Sequence, residues 1–273
     1  MPLVSIISPC WNGERYIERM LESIYNQTYE NIEMICINDG STDRTEELIC
    51  SYIDKLAVRG IDLKCINQSN LGQAAALNTG LKHIRGDFLS WIDCDDYLTE
   101  DSVEKKVTAL MENPTYSIVT SDFFIVEGNN IETRAKTYGN LNYQQNQFYL
   151  TLVGKSIIES HCHMIRVEDF RKINPSMEIS KCREGQNYQI LLPILYHYKR
   201  LYIDEPLAYY VIRKDSHFHR KRTLEEWIKR YDSLIKMLGD VFISMSLPEW
   251  EIEKYINLST FMDEKRRLME SNG

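Results

Sequence analysis

The chain has 273 residues, 43% apolar and 26% charged, with 32 Lys and Arg against 40 Asp and Glu and a formal charge of −8. A chain of that length buries a substantial core, and its negative balance excludes a general nucleic-acid binder, which needs cations to displace counterions from phosphate. No apolar run approaches the roughly 20 residues of a bilayer span, and the start, Met1-Pro2-Leu3-Val4-Ser5-Ile6, lacks the basic and apolar stretches of an export signal.

In chain order, Val4 to Ser8 is a short β-branched run closed by Pro9 and predicts a buried strand. From Glu14 to Asn26, Tyr16, Ile17, Met20, Leu21 and Ile24 keep helical spacing. Ile32 to Ile37 is a second strand. It ends in the turn cluster Asn38-Asp39-Gly40-Ser41, after which Ser41 and Thr42 lead Glu46 and Glu47 into another helix. Leu63 to Ile66 is a third strand, Gln73 to Ile84 a third helix and Phe88 to Ile92 a fourth strand. Strands alternating with helices across short loops imply βαβ units and a mainly parallel sheet covered by helices.

Further along, 100–112 predicts a helix and 118–126 a strand, and the Asn- and Gln-rich stretch 128–147 predicts a long surface loop. Leu224, Trp227, Ile228, Tyr231, Leu234, Ile235 and Leu238 mark a helix, and another follows Pro248. This amphipathic end is compatible with packing on the core, a dimer contact or a membrane surface. The seven cysteines are odd in number and form no CxxC pair, as expected of a reduced, cytoplasmic chain.

Ligands of open α/β sheets collect at the carboxyl ends of the strands. There the chain offers Pro9-Cys10-Trp11-Asn12-Gly13-Glu14, Asp39-Gly40-Ser41 and Asp93-Cys94-Asp95-Asp96. Three carboxylates in four residues repel one another unless a cation compensates. Hard oxygen ligands suit Mg²⁺ or Mn²⁺, usually shared with the phosphates of a nucleotide; a solvated turn and helix cap is the plain alternative. No GxxxxGK[ST] and no GxGxxG is present, so neither glycine loop holds the phosphate.

Taken together, Val4-Ser5-Ile6-Ile7-Ser8-Pro9-x-x-Asn12-x-Glu14, Asn38-Asp39-Gly40-Ser41-Thr42-Asp43, Asn70-x-Gly72-x-x-x-Ala76-x-Asn78-x-Gly80 and Asp93-x-Asp95-Asp96 resemble family 2 glycosyltransferases of the GT-A fold. The match is dense over about the first hundred residues and loose beyond. The resemblance implies an α/β fold, a nucleotide-sugar donor, a divalent cation and inversion at the anomeric carbon. It puts Pro9 and Trp11 in the base and ribose pocket and Asp39 on the uracil imide, which favours UDP. It puts Asp93 on ribose or sugar and Asp95 on the metal, and counts Asn12, Glu14, Asn70 and Cys94 among the donor-binding loops.

By the same resemblance the base is an Asp in a Glu-Asp pair opening a late helix. The matching segment is Arg183-Glu184-Gly185-Gln186-Asn187, so the second acid is Gly185 and the base falls to Glu184. A basic stretch, Arg213-Lys214-Asp215-Ser216-His217-Phe218-His219-Arg220-Lys221-Arg222, is similar to the family's loop over the donor pyrophosphate. It offers Arg213 or Lys214 to phosphate, His217 or His219 to the metal, or a contact with anionic lipid or a lipid-linked acceptor. His161-Cys162-His163 has no second ligand set and is expected to be packing, with both histidines on one strand face.

The expected organisation is a catalytic domain over 1–222, divided into a nucleotide half (1–96) and an acceptor half with the loop (97–222), followed by a helical extension (223–273). The expected activity is transfer from a UDP-sugar to a glycan or lipid-linked acceptor in surface-polysaccharide synthesis, in the cytoplasm or peripherally at the membrane. Rival readings are a sugar nucleotidyltransferase and a nucleotide-sugar-binding module without catalysis.

Overall fold

The computed structural model describes residues 1–127, 130–135, 138–213 and 222–271. Strands β1 (Val4–Cys10), β2 (Ile32–Asp39), β3 (Asp62–Gln68) and β4 (Phe88–Trp91) pair in parallel in the order β3-β2-β1-β4. This is the half of the sheet read from the strand–helix alternation. Their connections carry helices α1 (Ile17–Tyr25), α2 (Thr45–Ser51), α3 (Ile53–Val58) and α4 (Gln73–Leu81). Alternate residues of β1 and β2 feed opposite faces, as pleating requires. Ile6, Met34 and Cys36 pack with α1, whereas Ile7, Ile35 and Ile37 pack with α4. That is why these strands read as continuous apolar runs.

Beyond β4 the sheet is mixed. After β5 (Tyr97–Leu98) and α5 (Ser102–Glu112) come β6 (Tyr116–Glu127) and β7 (Asn130–Arg134), then α6 (Gln147–Leu152), β8 (His163–Arg166), α7 (Val167–Ile173), α8 (Gln186–His197) and β9 (Lys199–Ile212). β8 joins β4 to β6, antiparallel to both, and β9 lies parallel to β6. β9 therefore runs in the direction of β4 and ends at the same edge of the sheet. The C-terminal helices α9 (Leu224–Ser244), α10 (Glu249–Leu258) and α11 (Thr260–Glu270) pack on the core. Leu234, Met237, Leu238, Val241 and Phe242 of α9 are buried with Ile190, Leu191 and Ile194 of α8.

Several expectations are adjusted by packing. β1 runs through Pro9 to Cys10, because β4 pairs it only as far as Ile7 and the missing proline N–H costs no bond on that side. The first helix starts at Ile17, the second breaks into α2 and α3 at Tyr52, and α4 stops at Leu81. The 128–147 stretch, expected as a surface loop, is partly folded in. Gln147 is buried and donates its amide to the carbonyls of Leu141 and Gln144, and Arg200 donates to the Asn142 carbonyl. Buried amides are tolerated there because each finds a partner. The seven cysteines are free thiols. Among the described residues no helix is long and apolar enough to cross a membrane.

Glu33 ties the strands together at their amino ends. Its buried carboxylate accepts from Ser5 Oγ and Arg85 N, both at 2.5 Å, and from Arg85 Nε at 2.7 Å. Burial pushes the group up, but the bonds from Ser5 and Arg85 outweigh it and hold Glu33 below the usual glutamate range. A depressed folded pKa means that its contribution is complete above the unfolded value of about 4.3 and is lost as pH falls through the folded one. Glu33→Gln is expected to cost about 2 kcal/mol at neutral pH and to flatten the acid side of the stability curve. Denaturant unfolding between pH 3 and 7 checks both.

Candidate active site

Because β2, β1 and β4 are parallel neighbours, the loops that follow them lie side by side. The β1 and β2 loops are braced against each other. Asn12, at φ 49°, accepts from Thr42 N at 2.8 Å and donates its own N–H to Ser41 Oγ. Glu14 accepts from Arg44 N, and its N–H reaches Asp43. Asn12 and Glu14 thus shape the rim, while Trp11 stands above it 47% exposed. Pro9 is buried in β1.

Asp39 is buried at the end of β2 and gathers the loop after β3. Its Oδ1 accepts from Gln68 Nε2 and Leu71 N, and its Oδ2 from Gly72 N at 2.9 Å. A carboxylate has about four acceptor positions; these bonds leave one on Oδ2. Gly40 (φ 69°) has the Asn70 backbone so close that a Cβ would fall 2.7 Å from Asn70 N. Asn70 itself is exposed on this rim. Asn78 is structural: its buried amide bonds both backbone groups of Ile179 at 2.7 Å.

The carboxylates of Asp93, Asp95 and Asp96 come within 4.8 Å of one another beyond β4. Asp93 accepts from Gln73 Nε2, and Gln186 of α8 donates in turn to Gln73 Oε1 at 2.7 Å. Asp95 pairs with Arg213 at 2.7 Å, directly after β9, and its carbonyl accepts from Arg19. Arg213 also lies 5.3 Å over the Tyr16 ring. Asp96 is buried, accepts from Val211 N at 2.9 Å, and lies 2.8 Å from His161 Nδ1. Cys94 points the other way. Its thiol bonds Cys10 within the core and is raised well above the usual value by that bond and by burial.

Burial and the charges of Asp95 and Asp96 push Asp93 up to about 7. Burial and Asp95 raise Asp96 well above the carboxylate range, and burial lowers His161 to about 4. The cluster is therefore short of positive charge, and Arg213 supplies one unit of it. An all-oxygen donor set with uncompensated negative charge fits a hard divalent ion.

Glu184 precedes α8, two residues before the Gln186 that reaches Gln73. Its carboxylate lies 3.2 Å from Arg230 of α9. His217, with Lys214 and His219, lies outside the described residues. His161 and His163 do not share a strand face: His161 sits in a 3₁₀ turn and turns to Asp96, while His163 opens β8 and meets Thr120 at 2.9 Å. Sequence reading missed the roles of Gln73, Gln186, His161 and Arg230; only His161 stood out in the sequence, as half of a His-Cys-His.

A cleft of about 740 Å³ lies elsewhere, at the amino ends of β1 and β4. Its Arg85, Arg166 and Lys172 are already engaged by Glu33, by backbone carbonyls and by Glu168. It offers no comparable set of converging acids.

Comparison with known proteins agrees with this geometry. A family model described as glycosyl transferase family 2 matches residues 5–173. An uncharacterized glycosyltransferase of Haemophilus influenzae is 38% identical over 159 residues, 56% of this chain and 62% of the relative. Glycosyltransferase GlyA of Streptococcus pneumoniae serotype 4 is 31% identical over 265 residues, 93% of this chain and 36% of the relative. The chain thus spans less than two thirds of either relative's length. The structure of S. aureus TarS 1-349 in complex with UDP-GlcNAc aligns with TM-score 0.68 at 18% identity, covering 93% of this chain and 70% of that one. Mannosyltransferase PcManGT from Pyrobaculum calidifontis, in complex with GDP-Man and Mn2+, aligns with TM-score 0.66 at 17% identity, covering 99% and 74%. Such identities speak for a shared fold.

Gly185, where the sequence departs from the Glu-Asp pattern, has φ 68°, and a Cβ there would lie 2.5 Å from Met237 Cε. Restoring the acid with Gly185→Asp is therefore expected to cost about 2 kcal/mol or more and to lower turnover, as thermal unfolding and a turnover assay would show.

Proposed function

The chain belongs to glycosyl transferase family 2, and we propose that it is a metal-dependent, inverting transferase that moves one sugar from a UDP-sugar to a glycan or lipid-linked acceptor in cell-surface polysaccharide synthesis. The observation that carries this reading is the Asp93-Asp95-Asp96 cluster meeting Arg213 where β4 and β9 end together. TarS and PcManGT were solved with UDP-GlcNAc and with GDP-Man and Mn2+, so both kinds of nucleotide sugar are bound on this fold. Uracil is favoured by Asp39, whose Oδ2 keeps an acceptor position for an imide N–H, and the exposed ring of Trp11 offers a stacking face. The family assignment leaves no support for the nucleotidyltransferase alternative.

In this reading Asp95 holds Mn²⁺ or Mg²⁺ with Asp93 or Asp96 beside it, and His217 is a further candidate ligand. The ion supplies compensation for the charge that develops on the diphosphate. Asp93 faces ribose or sugar hydroxyls, and Arg213 offers its guanidinium to phosphate. Glu184 takes the proton of the acceptor hydroxyl as that oxygen bonds C1 and the C1–O bond to UDP breaks. Trp11, Asn12, Glu14, Asn70 and the Cys94 backbone frame the donor. The basic stretch after Arg213 is the candidate contact for a membrane surface or a lipid-linked acceptor.

Calorimetry with UDP, GDP and dTDP, each with Mn²⁺ and with EDTA, is expected to give metal-dependent binding of UDP above the others. Binding of GDP instead would overturn the uracil assignment. Asp95→Ala is expected to remove metal-dependent turnover while leaving thermal unfolding intact; full residual activity would sink the metal role. Glu184→Gln is expected to lower kcat about 100-fold at unchanged UDP affinity. UDP-sugar binding with neither transfer nor hydrolysis in the native protein would favour the binding-module reading.

A further inference from the structure

We infer that Arg230 is the positioning residue for the base, so that α9 is part of the active site; this rests on Glu184 being that base. A Cβ at position 185 would meet the side-chain ends of Met237 and Leu234 of α9, at 2.5 and 3.2 Å. Arg230 precedes them by seven and four residues and shares their helix face. The helix face that packs against residue 185 is thus the same face that brings a guanidinium to residue 184. Where the family pattern has a second acid, this chain has a close helix and the cation it carries.

The contact has the character of a held pair. Arg230 Nη2 lies 3.2 Å from Glu184 Oε2, with the arginine side chain 15% and the glutamate 31% exposed. A pair this sheltered is less screened than a surface ion pair. The guanidinium carbon also lies 5.9 Å from the centre of the Trp227 ring, one turn earlier on α9. Trp227 in turn stacks on Tyr231 at 5.9 Å and 21°. The arginine is therefore fixed by an aromatic pair on its own helix. It holds one oxygen of Glu184 and leaves Oε1 to receive the acceptor proton. A glutamate otherwise has three rotatable bonds, and aim matters for a base that must meet a hydroxyl at hydrogen-bond distance.

A double-mutant cycle on the full chain tests this with UDP-sugar turnover, the variants being Arg230→Gln, Arg230→Lys, Glu184→Gln and Glu184→Gln with Arg230→Gln. Gln keeps the aliphatic stem against Trp227, and UDP calorimetry with thermal unfolding verifies folding and donor binding. Arg230→Gln is expected to lower kcat about tenfold or more with donor KM unchanged. Arg230→Lys, which keeps the charge but not the planar fork, is expected to recover part of that loss. With Glu184→Gln already present, Arg230→Gln is expected to change kcat less than about twofold, because the partner through which it acts is gone. Full kcat in Arg230→Gln, or an equal further loss in the Glu184→Gln background, would overturn the proposal. An unchanged kcat in Glu184→Gln would instead overturn the assignment of the base, and is read separately.

Discussion

Carboxylates brought within 4.8 Å of one another in a partly buried site repel. Much of the active edge is arranged around that repulsion. The Val211 amide, the Gln73 amide, the His161 ring and the Arg213 guanidinium each meet one of the three acids. These groups come from the end of β9, the start of α4 and the turn before β8. The mixed half of the sheet therefore contributes to function by aiming β9 at the end of β4. Positive charge from outside the chain, such as a divalent cation, would answer the same electrostatic demand.

The second constraint is spatial. Asp39 holds the backbone of Leu71 and Gly72, Gln73 follows at once on α4, and Gln186 reaches Gln73 from α8. The nucleotide edge and the segment carrying Glu184 are thus joined by amides, which order loops without adding charge to a site already crowded with it. Behind this junction α9 packs against residue 185, whose positive φ of 68° favours glycine. The same helix brings Arg230 to Glu184.

Sequence alone made the parallel half of the sheet legible. Runs such as Val4–Ile7 and Ile32–Ile37 are buried on both faces, so their composition carries the signal without knowledge of partners. It also determined the loops at the strand ends and the acid cluster, because ligand chemistry demands particular residue types at short spacing, and short spacing survives in one dimension. The Asn- and Gln-rich stretch misled for a related reason: amides that look solvated can be buried when backbone carbonyls receive them, as Gln147 shows.

Tertiary structure decided what depends on partners far apart in the chain. His161 lies 65 residues from Asp96, Gln186 lies 113 from Gln73, and Glu184 meets Arg230 with α8 and β9 between them in the chain. Glutamine and arginine are common on helices, and nothing in their local sequence marks them for an active site. The left-handed backbone at Gly185 and its packing against Met237 and Leu234 could not be read locally either. A strand or an acidic loop is encoded by its neighbours in sequence, whereas the aim of a base is set by whatever the fold packs against it.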